Sequence, residues 1–345
     1  MKTADEQIDL LKKAAQYIQQ TTSLGVDVSM SSFCYMNAQE VTPGYMKLKN
    51  IQFRKKINFR YLFVILKHLL SISTLHNYRI INKKNFEGKE FYEKLLISWA
   101  SKNDFEEDGS FKDPKFRIHS KNHKNILWFL IYKDDSIPKK IASNIIVFSQ
   151  DKKKIKYNFY YLIKIFSKSI WKNKKSLFKI LHELSLQSHF AKILSEIIKK
   201  MIVANNFKSI IMPYEAQPFQ NKVFLEVKKI NKEIRTIGYT AVTQPFPSMN
   251  IFKLGAPDIL FVHGLSEIKH LQNNLLWPAE RLKLIPSLKY KKKDKVFLNN
   301  KIFIPYSIMK KKILIKEFKN LLLRQKNLSL KNFILQNHPY KYNSL

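Results

Sequence analysis

Seven glycines and one cysteine in 345 residues set the first limits. A lone Cys34 excludes an internal disulfide framework and any cysteine-rich zinc site, and points to a reducing compartment. With so little glycine there is no Gly-x-Gly-x-x-Gly and no Walker A loop, so a dinucleotide or P-loop site of the usual kind is not expected. His-Glu-x-x-His, Gly-x-Ser-x-Gly and Cys-x-x-Cys are missing too. Acidic residues are scarce: 26 against 62 basic ones. Long apolar runs are also lacking. Runs such as Ile126–Tyr132 stop far short of the roughly 18–20 residues of a membrane span. Nor does the start, Met-Lys-Thr-Ala-Asp-Glu-Gln, hold an apolar signal core; Thr3 and Glu6 read as a helix capping box.

What is present fits a globular chain. Apolar residues make up 45% and aromatics 13%, too much for disorder, and the length suits one large domain or two smaller ones. The net charge of +36 suggests a polyanionic partner, but the basic residues are overwhelmingly Lys, whereas base and phosphate recognition favours Arg forks. The abundance of Lys, Asn, Ile, Phe and Tyr together also fits an A/T-rich coding bias. Charge is uneven along the chain. Residues 1–50 balance five basic against five acidic, while residues 286–345 carry fifteen against two. That basic end could meet phosphates or an anionic membrane surface.

The chain is organised around residues 208–264. Ser-Ile-Ile-Met-Pro-Tyr-Glu (209–215), Arg-Thr-Ile-Gly-Tyr-Thr-Ala-Val-Thr (235–243) and Pro-Asp-Ile-Leu-Phe-Val-His-Gly (257–264) are short β-branched or aromatic runs ending in polar residues or Gly. A helical-period segment to Ile230 separates the first two, and that alternation predicts a parallel sheet buried on both faces. The 209–213 and 258–262 runs are expected to be neighbouring parallel strands. Ligands of such sheets sit beyond the carboxyl ends of the strands. Glu215, Gln217, Thr243, Gln244, His263 and Gly264 fall there, which marks a ligand cleft.

Elsewhere, helices are expected over 4–20, Tyr61–Ser71, 158–171, 176–203, 265–275 and 309–325, and strands at Ile126–Tyr132, Ala142–Phe148, 281–290, 301–307 and 333–336. Asp108-Gly109 is a turn in an acidic stretch whose spacing fails the EF-hand pattern. His182 and His189 have no carboxylate or cysteine spaced to complete a metal site. The organisation expected is an N-terminal helix and irregular segment (1–56), a first domain (57–290), a basic linker (291–300) and the start of a second domain (301–345), cut short after one βαβ unit.

Met-Pro-Tyr-Glu-Ala-Gln-Pro-Phe (212–219), Ile-Gly-Tyr (237–239), Pro-Asp-Ile-Leu-Phe-Val-His-Gly (257–264) and Ile-Pro-Ser-Leu-Lys-Tyr (285–290) resemble glycosyltransferase-like proteins of bacterial surface-carbohydrate synthesis. Ile-Ser-Trp-Ala (97–100), Asp-Gly-Ser-Phe-Lys-Asp (108–113), Asn-Ile-Leu-Trp (125–128) and the late His338-Pro339 are similar to the same group. That group includes capsule, lipopolysaccharide and sialyltransferase-type enzymes. The chain departs from it at Phe219, where a Trp is more typical, and in the shortened second domain.

The resemblance implies an α/β fold of GT-B type, with a Rossmann-like parallel sheet, helical additions and an incomplete second Rossmann-like domain. It implies a nucleotide sugar as donor substrate, a glycan or lipid-linked acceptor, no tightly bound cofactor or metal, and a cytoplasmic site at the inner face of the membrane. Glu215 would be the general base of glycosyl transfer, or else a cap on the helix opening at Pro218; both readings stand. Gln217, Thr243, Gln244, His263 and Gly264 would line the sugar site, although loop chemistry alone explains them. His338 and Pro339 would touch the nucleotide, or simply end a strand. Ser287, Lys289 and Tyr290 would end the first domain's last strand and pack a hinge. The competing classes are a basic nucleic-acid binder, using the 286–345 charge with Tyr290, Tyr306 and Tyr340 as stacking partners, and a non-catalytic fragment of a two-domain transferase.

Overall fold

The computed structural model describes residues 8–9, 12, 15–16, 78–82, 92–150, 159–172, 186–240, 250–288, 302–304, 319–324 and 333–335. The chain divides into two units, Met1–Tyr290 and Lys291–Leu345.

The first unit holds strands β1 (Tyr78–Ile81), β2 (Lys94–Ala100), β3 (Ile126–Tyr132), β4 (Ile145–Gln150), β5 (Ser209–Pro213), β6 (Arg235–Tyr239), β7 (Ile259–Val262) and β8 (Leu282–Leu284). They form one sheet in the order β1-β4-β3-β2-β5-β6-β7-β8. Only β1 is antiparallel, pairing Ile80 with Phe148 at the edge. From β4 to β8 every pairing is parallel. After the edge strand β1, the parallel part begins at β2 in the centre, winds outward through β3 and β4, then returns to add β5 to β8 on the other side. That is the doubly wound, Rossmann-like order.

Why these residues form such a sheet is plain in β3, Ile-Leu-Trp-Phe-Leu-Ile-Tyr, all seven of which are buried. Alternate residues serve opposite faces. Leu127, Phe129 and Ile131 join Leu95 and Ile97 of β2 on one face; Trp128, Leu130 and Tyr132 join Leu96 and Ala100 on the other. Among the described residues the first face is covered by α2 (Leu186–Ala204) with Leu194, Ile198 and Met201, by α3 (Pro218–Ile230) with Val223, Phe224 and Val227, and by α4 (Leu265–Leu275) with Leu271 and Leu275, and the N-terminal helical residue Ala15 joins the same cluster. Each such side chain contributes about 1.5–3 kcal/mol when fully buried. A further helix, α1 (Phe159–Lys172), lies in the β4-to-β5 connection.

Among the described residues no helix covers the second face. The β2-to-β3 connection, residues 101–125, runs across it as an irregular segment with 3-10 turns at Lys102–Asp104 and Ser120–Asn122. Phe111, with no exposed surface, packs its ring 5.4 Å from that of Trp128, and Phe116 lies 5.2 Å from Tyr239. Polar side chains stand in for helical hydrogen bonds. Asp113 Oδ1 accepts the backbone N–H groups of Lys115 and Phe116, and Ser120 Oγ accepts that of Phe111. Asp108-Gly109 is the expected turn: Gly109 has φ +86°, and a Cβ there would come within 2.8 Å of the backbone of Lys140 and Ile141. The surrounding acids serve structure. Glu106 pairs with Lys121 at 2.9 Å, and no cluster of metal-ligating type occurs among the described residues.

Several expectations need correction. β5 and β7 are parallel but not neighbours, because β6 lies between them and pairs with both. The strand expected at Ala142–Phe148 begins at Ile145, since the Asn144 side chain turns back to donate to the carbonyls of Ser120 and Ile126. The strand expected over 281–290 ends at Leu284, so Ser287 lies beyond it in a loop, while Lys289 and Tyr290 fall outside the described residues. Strand β3 and helix α4 begin and end where the pattern put them. Residues 8, 9, 12, 15 and 16 are helical, with Ala15 buried and Ile8 exposed. The helix expected over Tyr61–Ser71 lies outside the described residues, as does His182.

In the second unit, β9 (Ile302–Ile304) and β10 (Phe333–Leu335) pair in parallel, and residues 319–324 between them are helical. His338 and Pro339 lie outside the described residues.

Candidate functional site

In a doubly wound sheet the loops leaving the two strands at the reversal diverge to opposite faces and leave a crevice outside their carboxyl ends. Here those strands are β2 and β5, paired Lys94 to Ser209 and Leu96 to Ile211. Continuing that register brings Glu215 level with Ala100, the last residue of β2. From this point the chain after β2 crosses to the Phe111 face, and the chain after β5 enters α3 on the helical face.

The turn that presents Glu215 is built by Gln220, which has no exposed surface. Its Oε1 accepts the N–H groups of Glu215 and Gln217, each at 2.9 Å, and its Nε2 donates to the carbonyl of Pro213 at 2.6 Å. Ala216 is held at φ +52°, a left-handed conformation costly for a residue with a Cβ. The buried Lys253 ammonium donates to the Ala216 carbonyl at 3.0 Å. Pro218 opens α3, where its missing N–H costs nothing. Gln220 thus holds the backbone of the turn, and Gln217, not Glu215, stands at the N-cap of α3. The Glu215 carboxylate, half-buried, accepts from Gln217 Nε2 at 2.8 Å.

Facing this turn across the reversal is the end of β2. Trp99 meets Phe219 edge to face at 5.5 Å, and Phe219 meets Phe190 of α2 at 5.4 Å, so Phe219 packs between the end of β2 and α2. The exposed Lys133, at the end of β3, holds its ammonium 6.0 Å from the Trp99 ring. Ser101 donates to Asp104 through both its N–H and its hydroxyl at 2.7 Å, and the Lys102 N–H donates to Asp134 at 2.6 Å. Lys102, Asp104 and Lys133 were not singled out from the sequence, and Trp99 entered only within the Ile-Ser-Trp-Ala motif. The signal was there: Lys-Leu-Leu-Ile-Ser-Trp-Ala (94–100) is an apolar run of strand length ending in polar residues.

Two strands along, His263 and Gly264 occupy the carboxyl end of β7. The β6 register, Pro213 to Tyr239, and the β7 register, Tyr239 to Phe261, bring Glu215 and His263 to the same level, about 10 Å apart at ordinary strand spacing. The His263 ring stands edge-on to Tyr239 at 5.1 Å, with both ring nitrogens enclosed by protein. Gly264 caps α4, and a Cβ there would rest an ordinary 3.6 Å from Ser266 Oγ, so sterics do not demand glycine. Behind His263 lies Glu267, whose carboxylate accepts the His263 N–H at 3.3 Å. Burial pushes the Glu267 carboxyl above its ordinary range, against the pull of the bonds from His263 and Thr240. Burial likewise raises the Tyr239 phenol, whose oxygen accepts the Leu288 N–H at 3.4 Å. Glu267 escaped the sequence reading because a first-turn acid is ordinary helix chemistry. Thr243 and Gln244 lie outside the described residues.

A cavity of 560 Å³ opens at the other end of the sheet, where Lys228, Asp258 and Arg281 stand at the amino ends of β6 to β8, with Phe224, Phe252 and Gly255 among its walls. Glu215 does not line it. The expected association of Glu215 with a cleft therefore rests on the strand reversal rather than on this cavity. The chain matches no protein-family model and no curated protein.

Proposed function

We propose that this chain is a nucleotide-sugar-dependent glycosyltransferase of GT-B type, working in surface-polysaccharide assembly on a glycan or lipid-linked acceptor. One observation carries the reading: a half-buried carboxylate, Glu215, stands at the strand reversal of a doubly wound sheet, on a turn held by Gln220 and followed by a helix whose N-cap is Gln217. The motif resemblance running through residues 97–290 supports it.

Glycosyl transfer needs a base to take the acceptor hydroxyl proton and positive charge to steady the departing nucleotide phosphate. Glu215 takes the proton. Its oxygen held by Gln217 stays fixed in direction while the carboxylate receives it. The ammonium groups of Lys102 and Lys133 bring positive charge to the same edge. Gly264 and His263, at the carboxyl end of β7, border the sugar subsite. No tightly bound metal takes part in this reading.

The test is thermal stability of the purified chain with uridine and cytidine nucleotides and their sugar derivatives. At a ligand concentration 100 times Kd, binding adds about 2.7 kcal/mol and raises Tm. No shift across the panel overturns the proposal.

A further inference from the structure

Helix α1 (Phe159–Lys172) presents apolar side chains to solvent at helical spacing. Tyr160 is 75% exposed, Ile163 66% and Trp171 76%, with Phe166 and Ile170 also exposed. At 3.6 residues per turn these five side chains span an arc of about 140°. Exposed Lys164 and Lys168 follow directly beyond the Trp171 edge of that arc. A soluble monomer scatters its exposed apolar residues; a contiguous face of this size marks an interaction surface.

The chemistry of the surroundings selects the partner. From Lys152 to His182 the sequence carries ten lysines and no acid. Two copies meeting through this face would bring like charges together, and an ordinary protein surface of mixed sign would not match it. An anionic bilayer matches both halves: the apolar arc enters the acyl boundary, lysines reach the headgroups, and Tyr160 and Trp171 sit at the polar interface. Fourteen residues rise about 21 Å, short of the roughly 30 Å hydrocarbon core, so α1 lies on the membrane rather than across it. No described helix is long and apolar enough to cross.

We infer that α1 is an in-plane anchor for a membrane surface rich in anionic phospholipid. The inference uses nothing from the Glu215 reading and stands or falls separately.

The full chain is mixed with vesicles of phosphatidylcholine alone, or of phosphatidylcholine with phosphatidylglycerol. Co-sedimentation with the mixed vesicles only, weakened by salt, is the expected result. Trp128 and Trp277 are buried and Trp99 is half-buried, so Trp171 dominates any emission change. Its emission should move to shorter wavelength on binding, and Trp171→Phe should abolish that shift. The pair Ile163→Asp with Ile170→Asp should lower partitioning about tenfold or more. The pair Lys164→Glu with Lys168→Glu, which keeps the apolar arc, should weaken it severalfold. All four positions are exposed, and circular dichroism checks that the fold survives. Equal binding to neutral vesicles, no binding to either, or binding unchanged in both pairs overturns the inference. So does a concentration-dependent dimer, or an oligonucleotide complex, that the aspartate pair removes.

Discussion

The two ends of the parallel strands treat their carboxylates in opposite ways. At the amino end, Asp258 accepts the Thr236 N–H at 2.8 Å, returns its own N–H to Thr236 Oγ1 at 3.0 Å, and meets Lys228 at 2.6 Å. Burial pushes its carboxyl up, but those bonds and the lysine charge win and hold it below the ordinary range. At the carboxyl end, burial wins at Glu267 and raises it. There the turn after β5 carries a left-handed Ala216, and the helix that follows has Gln217, not Glu215, at its N-cap. A fully compensated carboxylate reports structure. One held against desolvation at the carboxyl ends of the strands is a candidate for a task; burial raises Asp113 as well, but the backbone bonds it accepts give that carboxylate a structural duty.

The largest test of that contrast is Glu215→Gln. Loss of a general base costs about 10² to 10⁴ in rate, or about 3–5 kcal/mol of barrier. The expected outcome is loss of sugar transfer with Tm unchanged within about 1 °C, since the substitution keeps size and shape. A fall in Tm with transfer intact would make Glu215 structural and erase the contrast.

Next in size is Gly255→Ala, which presses on the first turn of α3. Gly255 sits at φ +81°, and an added Cβ would come 2.2 Å from the Asn221 carbonyl oxygen of α3. Backbone cannot yield as a flexible side chain does, so about 3 kcal/mol of stability should be lost on denaturant unfolding. Gln220→Ala should cost about 2–3 kcal/mol, because it strands two N–H groups and a carbonyl beside the turn. If Gln220→Ala also disables transfer while Asp258→Asn at the amino end spares it, catalytic geometry belongs to the carboxyl end alone.

How much of this was legible in the sequence follows from how local each signal is. Strand β3 and helix α4 announced themselves, since seven buried apolar residues in a row and an apolar stripe between Gly264 and Leu276 need no distant partner. Strand order was not legible. Periodicity says that 209–213 and 258–262 are buried strands, but only the three-dimensional packing inserts β6 between them. Strand β2 was missed although it is the centre of the sheet, because the chain after it holds 3-10 turns instead of the helix that a βαβ pattern leads one to seek. The site shows the same division. Glu215 could be found from its place after an apolar run, whereas the capping role of Gln220 and the burial of Glu267 depend on contacts no spacing encodes.

The smallest effect sharpens the contrast by pH. Asp258 has a folded pKa below its unfolded value. Its contribution is therefore present above the ordinary carboxylate range and lost as pH falls through the folded value. Glu267 has a folded pKa above its unfolded value, so its contribution is fully present below the unfolded range and lost as pH rises through the folded value. Asp258→Asn should lower stability at neutral pH by about 1 kcal/mol, an ordinary value for one partly exposed pair, and the deficit should shrink as the solution is acidified. Glu267→Gln should do the reverse, leaving Tm equal to or slightly above that of the native chain at neutral pH and losing that advantage in acid. The two Tm-against-pH curves, each measured relative to the native chain, should then change in opposite directions on acidification. Curves that run in parallel would mean that burial does not outweigh pairing at Glu267, and that the two ends of the sheet handle charge alike.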